Sequence, residues 1–344
     1  MSHNIIGENM KKITFDRIYY EDSITQYPLG RYLLNKYNTI PKIKISSHNN
    51  IEELRKYENK DFTKLKRYLI IGTRKTHKYT ENHKISDYLV PFSSSGCSAM
   101  CMYCYLVCNY NKCSYLRVFV NTDEIIDKLI KFSNKSEKEL VFEIGSNSDL
   151  LLENLVTDSL YYNIEKFLYN TKKGVLTFPT KFNLIEPLLE ISDKKRVIPR
   201  VSLNPNRIIT KVEFGTSNLK QRIEAINKLV EVGYKPYILI APVIITDNFK
   251  EDYTNLILTM RENLSKDAQK NITFEIIFMT YSYIHRKINE EAFPKAITLY
   301  SNELMTSRGI GKYHYKNEIK NNAKLFLKKL IYKNFSDSFI KYIV

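Results

Sequence analysis

The sequence predicts an α/β fold: a partial (β/α)6 TIM-like barrel with an N-terminal α/β extension and a C-terminal hairpin and helix. Three observations predict it. From about residue 87, short apolar runs alternate with amphipathic helical stretches, which implies a parallel sheet with helices packed outside it. About six such units are present, too few to close an eight-fold barrel. Cys97, Ser146, Lys181, Asn204 and Ala241 each follow an expected strand or lie at its end, where sites on such sheets gather.

Residues 1–86 form the extension, expected to pack on the barrel. Tyr27-Pro-Leu-Gly30 reads as a turn into a short helix over 31–37, with Leu33 and Leu34 apolar. Lys42-Ile-Lys-Ile-Ser-Ser alternates as a strand does. Residues 51–57 are expected to be helical, with Asn50 as N-cap and Glu52 and Glu53 in the first turn. Tyr68-Leu-Ile-Ile-Gly reads as a short strand. Arg74-Lys-Thr-His-Lys-Tyr is basic with interleaved aromatics, which suits either a phosphate backbone or a solvated loop.

Residues 87–284 form the barrel. Its strands are expected at 88–92, 116–120, 140–144, 175–178, 197–203, 237–245 and 272–278, and its helices at 123–132, 153–169, 184–191, 219–232 and 249–264. Asn121-Thr-Asp-Glu and Ser217-Asn-Leu-Lys are helix starts, and Gly233 a helix stop. Residues 285–344 are the substrate-binding segment. Gly309-Ile-Gly311-Lys-Tyr-His-Tyr places two glycines beside an alternating run, which predicts a hairpin. A basic amphipathic helix over 317–331 turns Ala323, Leu325, Phe326, Leu330 and Ile331 to the core.

The chain has 344 residues and a net charge of +16, from 53 basic and 37 acidic side chains. Such an excess favours a polyanion, nucleic acid before an anionic membrane surface. The competing reading is compositional: abundant Lys, Asn, Ile and Tyr are what an AT-rich genome imposes on any protein. No run of about eighteen apolar residues occurs, so no membrane span is expected. No basic segment leads into an apolar one at the N-terminus, so a cytoplasmic location is expected.

All 5 cysteines lie between Cys97 and Cys113. Cys97-Ser-Ala-Met-Cys101-Met-Tyr-Cys104-Tyr105 reads C-x3-C-x2-C. Structural zinc, unrelated free thiols and a three-thiolate iron–sulfur site compete. The spacing lacks the paired C-x2-C knuckles of usual zinc sites, and no His lies nearby. Three thiolates on one loop can hold three corners of a 4Fe-4S cluster, leaving the fourth iron open.

This spacing, with an aromatic residue before the third Cys, resembles the radical S-adenosylmethionine superfamily. Within it, Cys-x-Tyr-Cys-Tyr-Leu followed by Tyr115-Leu-Arg-Val-Phe-Val-Asn121 resembles the spore photoproduct lyase family. The likeness spans nearly the whole chain. Upstream it includes Tyr27-Pro-Leu-Gly30, Thr73-Arg-Lys-Thr76 and Val90-Pro-Phe92. Downstream come Phe142-Glu143, Ser148-Asp149, Thr180-Lys-Phe182, Ser202-Leu-Asn204, Phe214-Gly-Thr-Ser217, Arg222-Ile-Glu-Ala225 and Gly233-Tyr234. Ala241-Pro242, Ile272-Thr-Phe-Glu275 and Gly309-Ile-Gly-Lys-Tyr313 complete it.

The resemblance implies that Cys97, Cys101 and Cys104 hold a 4Fe-4S cluster whose open iron binds S-adenosylmethionine. Ser148, Lys181, Ser202, Asn204 and Ala241 are then expected around that cofactor. A 5′-deoxyadenosyl radical takes a hydrogen from C6 of 5-thyminyl-5,6-dihydrothymine, and the methylene bridge breaks to leave a thymine allyl radical. Tyr103 and Tyr105 match the radical-return relay. Damaged double-stranded DNA is the expected partner, with Arg308, Lys312 and Tyr313 on the nucleic acid. A one-electron reductant of flavodoxin or ferredoxin type is implied, acting on a monomer with no membrane role.

One position departs. The family places a cysteine, the hydrogen donor, where this chain has Ser146. An O–H bond is much stronger than S–H, so serine cannot take that role. Cys108 or Cys113 donating, Tyr103 or Tyr105 donating directly, and a different lesion or substrate are the readings this leaves. A non-catalytic iron–sulfur protein that binds nucleic acid is a further alternative. Leu304-Met-Thr-Ser-Arg308 also lacks the aromatic and basic pairing expected before the hairpin.

Overall fold

A computed structural model describes residues 13–109, 115–270 and 272–344. Along the chain the main strands are β1 (Arg17–Glu21), β2 (Lys42–Ile45), β3 (Tyr68–Gly72), β4 (Tyr88–Leu89), β5 (Leu116–Phe119), β6 (Leu140–Glu143) and β7 (Gly174–Thr180). They continue with β8 (Val197–Ser202), β9 (Tyr237–Val243), β10 (Thr273–Phe278), β11 (Met305–Gly309), β12 (Lys312–Tyr315) and β13 (Phe339–Ile343).

Two parallel sheets result. The larger runs β13-β10-β9-β8-β7-β6-β4, parallel throughout, with Thr80–Glu81 antiparallel on its β4 edge. This is the curled half-barrel. Phe142, Leu176, Val201, Ile240 and Phe274 of its strands are buried with Leu129, Ile164, Leu229 and Ile257 of the helices outside it. Burying each such side chain stabilises the fold by about 1.5–3 kcal/mol.

The smaller sheet runs β2-β1-β3-β5, also parallel, with Ser94–Ser95 antiparallel on β5. Here the structure differs from the sequence expectation, which put residues 116–120 in the barrel. All four residues of β5 are buried, and a strand buried on both faces carries no pattern that says which parallel sheet it joins. The expectation also had no strand at Phe339–Ile343, which pairs with β10 at the barrel edge.

The helix expected over 153–169 is two helices, Leu150–Thr157 and Leu160–Asn170. Asp158 breaks them: it adopts a left-handed conformation (φ 55°) and its N–H closes on the Asn154 carbonyl. Strands β11 and β12 form the expected hairpin, with Gly309, Ile310 and Gly311 all at positive φ around its tip. The helix Asn317–Asn334 buries Ala323, Leu327 and Ile331, an i, i+4, i+8 stripe. Leu325, expected on that stripe, is exposed because it lies two residues off it. Among the described residues, no helix is long and apolar enough to cross a membrane.

Candidate active site

A cavity of about 380 Å³ opens at the C-terminal ends of the barrel strands. It brings together Cys97, Cys101, Cys104, Tyr103, Tyr105, Ser146, Ser148, Lys181 and Ser202. The thiol-bearing loop is tied from four sides. The Gly96 N–H donates to Asn147 O (2.7 Å), and Met100–Cys101 pairs antiparallel with Glu213–Phe214. Lys66 Nζ, from the N-terminal region, donates to Cys97 O (2.7 Å). From the helix Tyr283–Ala292, Asn289 donates to Met102 O (2.8 Å) and His285 Nε2 lies 3.1 Å from Cys104 O.

Lys181 Nζ donates to Ser202 Oγ (2.6 Å) and to Ala241 O (2.8 Å), and stands 3.5 Å from Glu213. Glu213 is the residue that sequence reasoning missed. It is buried, pairs with buried Arg222 at 2.7 Å, and accepts from Asn204 (2.8 Å) and from the Tyr103 hydroxyl. Burial works against its ionisation, but the charges of Lys181 and Arg222 outweigh it and hold the carboxyl at about 2. It sits beside the Phe214-Gly-Thr-Ser217 run, so the signal was one residue away. Burial, and then the Glu213 charge, pushes the Tyr103 phenol well above its usual value. Asn204 lies behind the cavity, fully buried, its Oδ1 without a partner.

Burial and the Asp149 charge push the Cys97 thiol up to about 12, and burial with the Glu213 charge pushes Cys101 well above its usual value. A metal therefore has to displace protons here. The fit to the implied groups is good. The three thiols are close enough that Cys104 raises both of the others. Ser148 Oγ is buried without a partner and opens on the same cavity. Among the described residues no three such side chains converge to hold a single ion; a cluster asks only one thiolate per iron.

Ser146 joins the cavity through a second buried array. Its hydroxyl donates to Glu143 (2.9 Å), and Arg200 bridges Glu143 (2.9 Å) and Glu275 (3.0 Å). Tyr342 donates to Glu275 (2.7 Å). Arg200 and Tyr342 also escaped the sequence reading. The Tyr105 hydroxyl donates to the Ser146 carbonyl.

Cys108 does not reach this cavity. It lines a neighbouring one of about 510 Å³, with Tyr105, His285, Arg308, Lys312 and Tyr313. Its sulfur lies 3.5 Å from Ser282 Oγ and 3.8 Å from His285 Nε2. Tyr105 borders both cavities. Cys113 lies outside the described residues. A third cavity, of about 430 Å³, gathers Lys84, Arg308 and Lys320. Burial, then the charges of Lys324, Arg308 and Lys84, lowers the Lys320 pKa.

Comparison with known proteins finds one family over almost the whole chain. The family model described as spore photoproduct lyase matches residues 13–344. The spore photoproduct lyase of Bacillus subtilis (strain 168) is 30% identical over 333 residues, covering 94% of this chain and 97% of that protein. That of Clostridium acetobutylicum is 30% identical over 344 residues, covering 98% and 100%. The solved structure of a spore photoproduct lyase complexed with dinucleoside spore photoproduct superposes with a TM-score of 0.89 at 27% identity, over 97% of this chain and 100% of that one.

Proposed function

The chain belongs to the spore photoproduct lyase family, a radical S-adenosylmethionine lyase, and we propose that it reverts 5-thyminyl-5,6-dihydrothymine in damaged duplex DNA to two thymines with an atypical hydrogen donor. The observation that carries the reading is the shared cavity of three thiols, Ser148, Ser202 and Lys181 at the barrel mouth. Cys97, Cys101 and Cys104 would hold the 4Fe-4S cluster, and Ser148, Lys181, Ser202, Asn204 and the Ala241 carbonyl would surround S-adenosylmethionine. Bound there, the two groups supply, from one electron, a carbon radical strong enough to take a hydrogen from the lesion. A flavodoxin or ferredoxin provides that electron, and the chain acts as a monomer in the cytoplasm.

The protein's own residues shelter and finish the reaction. The Lys181–Glu213–Arg222 array keeps Lys181 in place without leaving an unpaired buried charge. Ser146 is committed to Glu143 and does not donate. The lesion extends past Tyr105, where the two cavities adjoin, and its allyl radical takes its hydrogen from the Cys108 thiol there: the S–H bond breaks, a C–H bond forms, and a thiyl remains. Tyr105, bordering both cavities, refills the sulfur, leaving the unpaired electron on the Tyr105–Tyr103 pair. Arg308, Lys312 and Tyr313, joined by Lys84 and Lys320, face the DNA backbone. Extruding the lesion costs a few kcal/mol, less for a damaged pair.

The test is an anaerobic assay of the reconstituted protein with S-adenosylmethionine and a dinucleotide spore photoproduct. Thymine is the expected product. Brisk 5′-deoxyadenosine release without thymine overturns the assignment and favours a lyase-like enzyme with another substrate.

A further inference from the structure

The helix Tyr283–Ala292 begins beside Cys108. Its start is a capping box: the Ser282 hydroxyl accepts from the His285 N–H (3.3 Å), and His285 Nδ1 accepts from the Ser282 N–H (3.1 Å). Glutamate or glutamine usually takes the second part. Either would cap this helix as well, so the cap alone does not explain a histidine. What histidine adds is a second ring nitrogen. Nε2 is turned to the thiol-bearing loop, 3.1 Å from Cys104 O and 3.8 Å from Cys108 Sγ.

These partners fix the ring's hydrogen. A backbone N–H can only donate, so Nδ1 is the acceptor. A carbonyl oxygen can only accept, so Nε2 carries the hydrogen. The two requirements agree, and they describe one neutral tautomer. Packing holds the ring in that orientation. It is buried and stacked on Tyr281, with centroids 5.3 Å apart and 15° between the planes. One turn on, Asn289 donates to the Tyr281 hydroxyl and to Met102 O, both at 2.8 Å. His285 and Asn289 thus grip two carbonyls of the loop from one helix face.

The consequence falls on Cys108. In a nucleophilic cysteine–histidine pair, an imidazole nitrogen accepts the thiol proton and leaves a thiolate. Here neither nitrogen is placed to do so. Nε2 already holds a hydrogen, and a proton on Nδ1 would set two donors against each other at the Ser282 N–H. A thiolate has no hydrogen atom to give. An imidazole disabled as a base is therefore the neighbour that a hydrogen-donating thiol needs. The hairpin closes the other side: the strand Thr280–Ser282 pairs antiparallel with β12, Tyr281 opposite Tyr313 and Ser282 opposite Lys312.

We propose that His285 is a positioning residue for hydrogen return: it anchors the Cys104 carbonyl through Nε2–H and, by its fixed tautomer, keeps the Cys108 hydrogen on sulfur at the edge of the cavity beneath the hairpin. The inference rests on Cys108 being the donor. In the step, the Cys108 S–H bond breaks and the C–H bond forms, while His285 neither gains nor loses a proton.

Two readouts test it, one of them independent of turnover. The first is the rate at which iodoacetamide alkylates Cys108 in the anaerobic, cluster-loaded protein, with peptide mapping to separate Cys108 from Cys113. His285→Phe keeps a ring and removes both nitrogens. The Cys108 rate in this variant is expected to fall by no more than about threefold; a larger fall makes His285 a base toward the thiol and overturns the proposal. Should His285→Phe fail to fold, His285→Gln, which is no base either, makes the same measurement. The second readout is the deuterium that the thymine methyl takes up in D2O, since thiol hydrogens exchange with solvent. His285→Phe should lose that label with the KM for the dinucleotide unchanged. His285→Gln should keep it, because an amide offers an acceptor to the Ser282 N–H and a donor to Cys104 O; loss of label in His285→Gln overturns the proposal. If Cys108→Ala keeps its label, the donor assignment falls and this inference with it. If Cys108→Ala loses the label and His285→Phe keeps it, this inference alone falls.

Discussion

The barrel mouth and the crevice of the smaller sheet share a backbone design and differ in charge. Both lie at the C-terminal ends of parallel strands. At the barrel mouth nearly every charge is answered: Lys181 and Arg222 by Glu213, Arg200 by Glu143 and Glu275. What that cavity adds is soft thiols and one unpartnered hydroxyl, Ser148. Among the described residues the smaller crevice is lined by no cysteine; Arg74, Lys75, Arg117 and Glu21 line it, and the Arg74 charge also acts on buried Glu153. Parallel topology supplies a crevice in both; the charge balance of its lining selects the occupant. A charge-balanced lining that carries three thiols suits a cluster and the zwitterionic end of S-adenosylmethionine.

Substitutions can break that comparison on one side at a time. The largest effect is expected from Cys101→Ala, which should remove the iron–sulfur colour and all measurable turnover, read by absorbance and by the thymine assay. Next, Lys181→Ala should weaken S-adenosylmethionine binding about 10- to 100-fold, since it removes the donor to Ser202 Oγ, one of the two donors to Ala241 O and one of the two cations answering Glu213. Calorimetry with S-adenosylmethionine reads this directly.

Gly72→Ala works on the other side. It should destabilise the fold by about 1–3 kcal/mol in denaturant titration, through overpacking against His48, with the KM for S-adenosylmethionine unchanged. The smallest effect is a pH slope. Burial pushes the Glu153 carboxyl up to about 7, against hydrogen bonds from Ser94 and Ser93. The folded state therefore holds this proton more tightly than the unfolded one. The contribution is fully present below about 4.5 and lost as pH rises through 7, about 3 kcal/mol in all. Glu21 has the opposite sign: its folded value is about 2, so its contribution is present above about 4.5 and lost on acidification. Glu153→Gln should flatten stability between pH 5 and 8; an unchanged slope there would assign the loss to another group.

Much of the barrel was legible because its strands are short apolar runs punctuated by helix caps, as at Asn218, whose side chain accepts from the Gln221 N–H. Strand β5 could not be placed, since a fully buried strand looks the same in either sheet. Strand β13 was overlooked because Phe-Ile-Lys-Tyr-Ile is a half-exposed edge following a polar stretch. At the site, the thiols announce themselves by spacing. Glu213 and Arg200 do not, because a lone charged residue in a sequence carries no sign of the partners that allow its burial. The basic run at Arg74 was visible, but its cavity is assembled from segments that lie far apart in the chain, from Glu21 to Phe119.

The claim that joins sequence to chemistry is that a thiol outside the barrel mouth, Cys108, returns the hydrogen that Ser146 cannot. Thiol hydrogens exchange with solvent, and breaking the methylene bridge leaves a carbon that becomes the thymine methyl group. The direct measurement is therefore the deuterium content of that methyl after turnover in D2O, in the unmodified protein and in Cys108→Ala. The account predicts one solvent deuterium per repaired thymine methyl in the first, and loss of that label, with diverted products, in the second. Equal labelling in both proteins would contradict it.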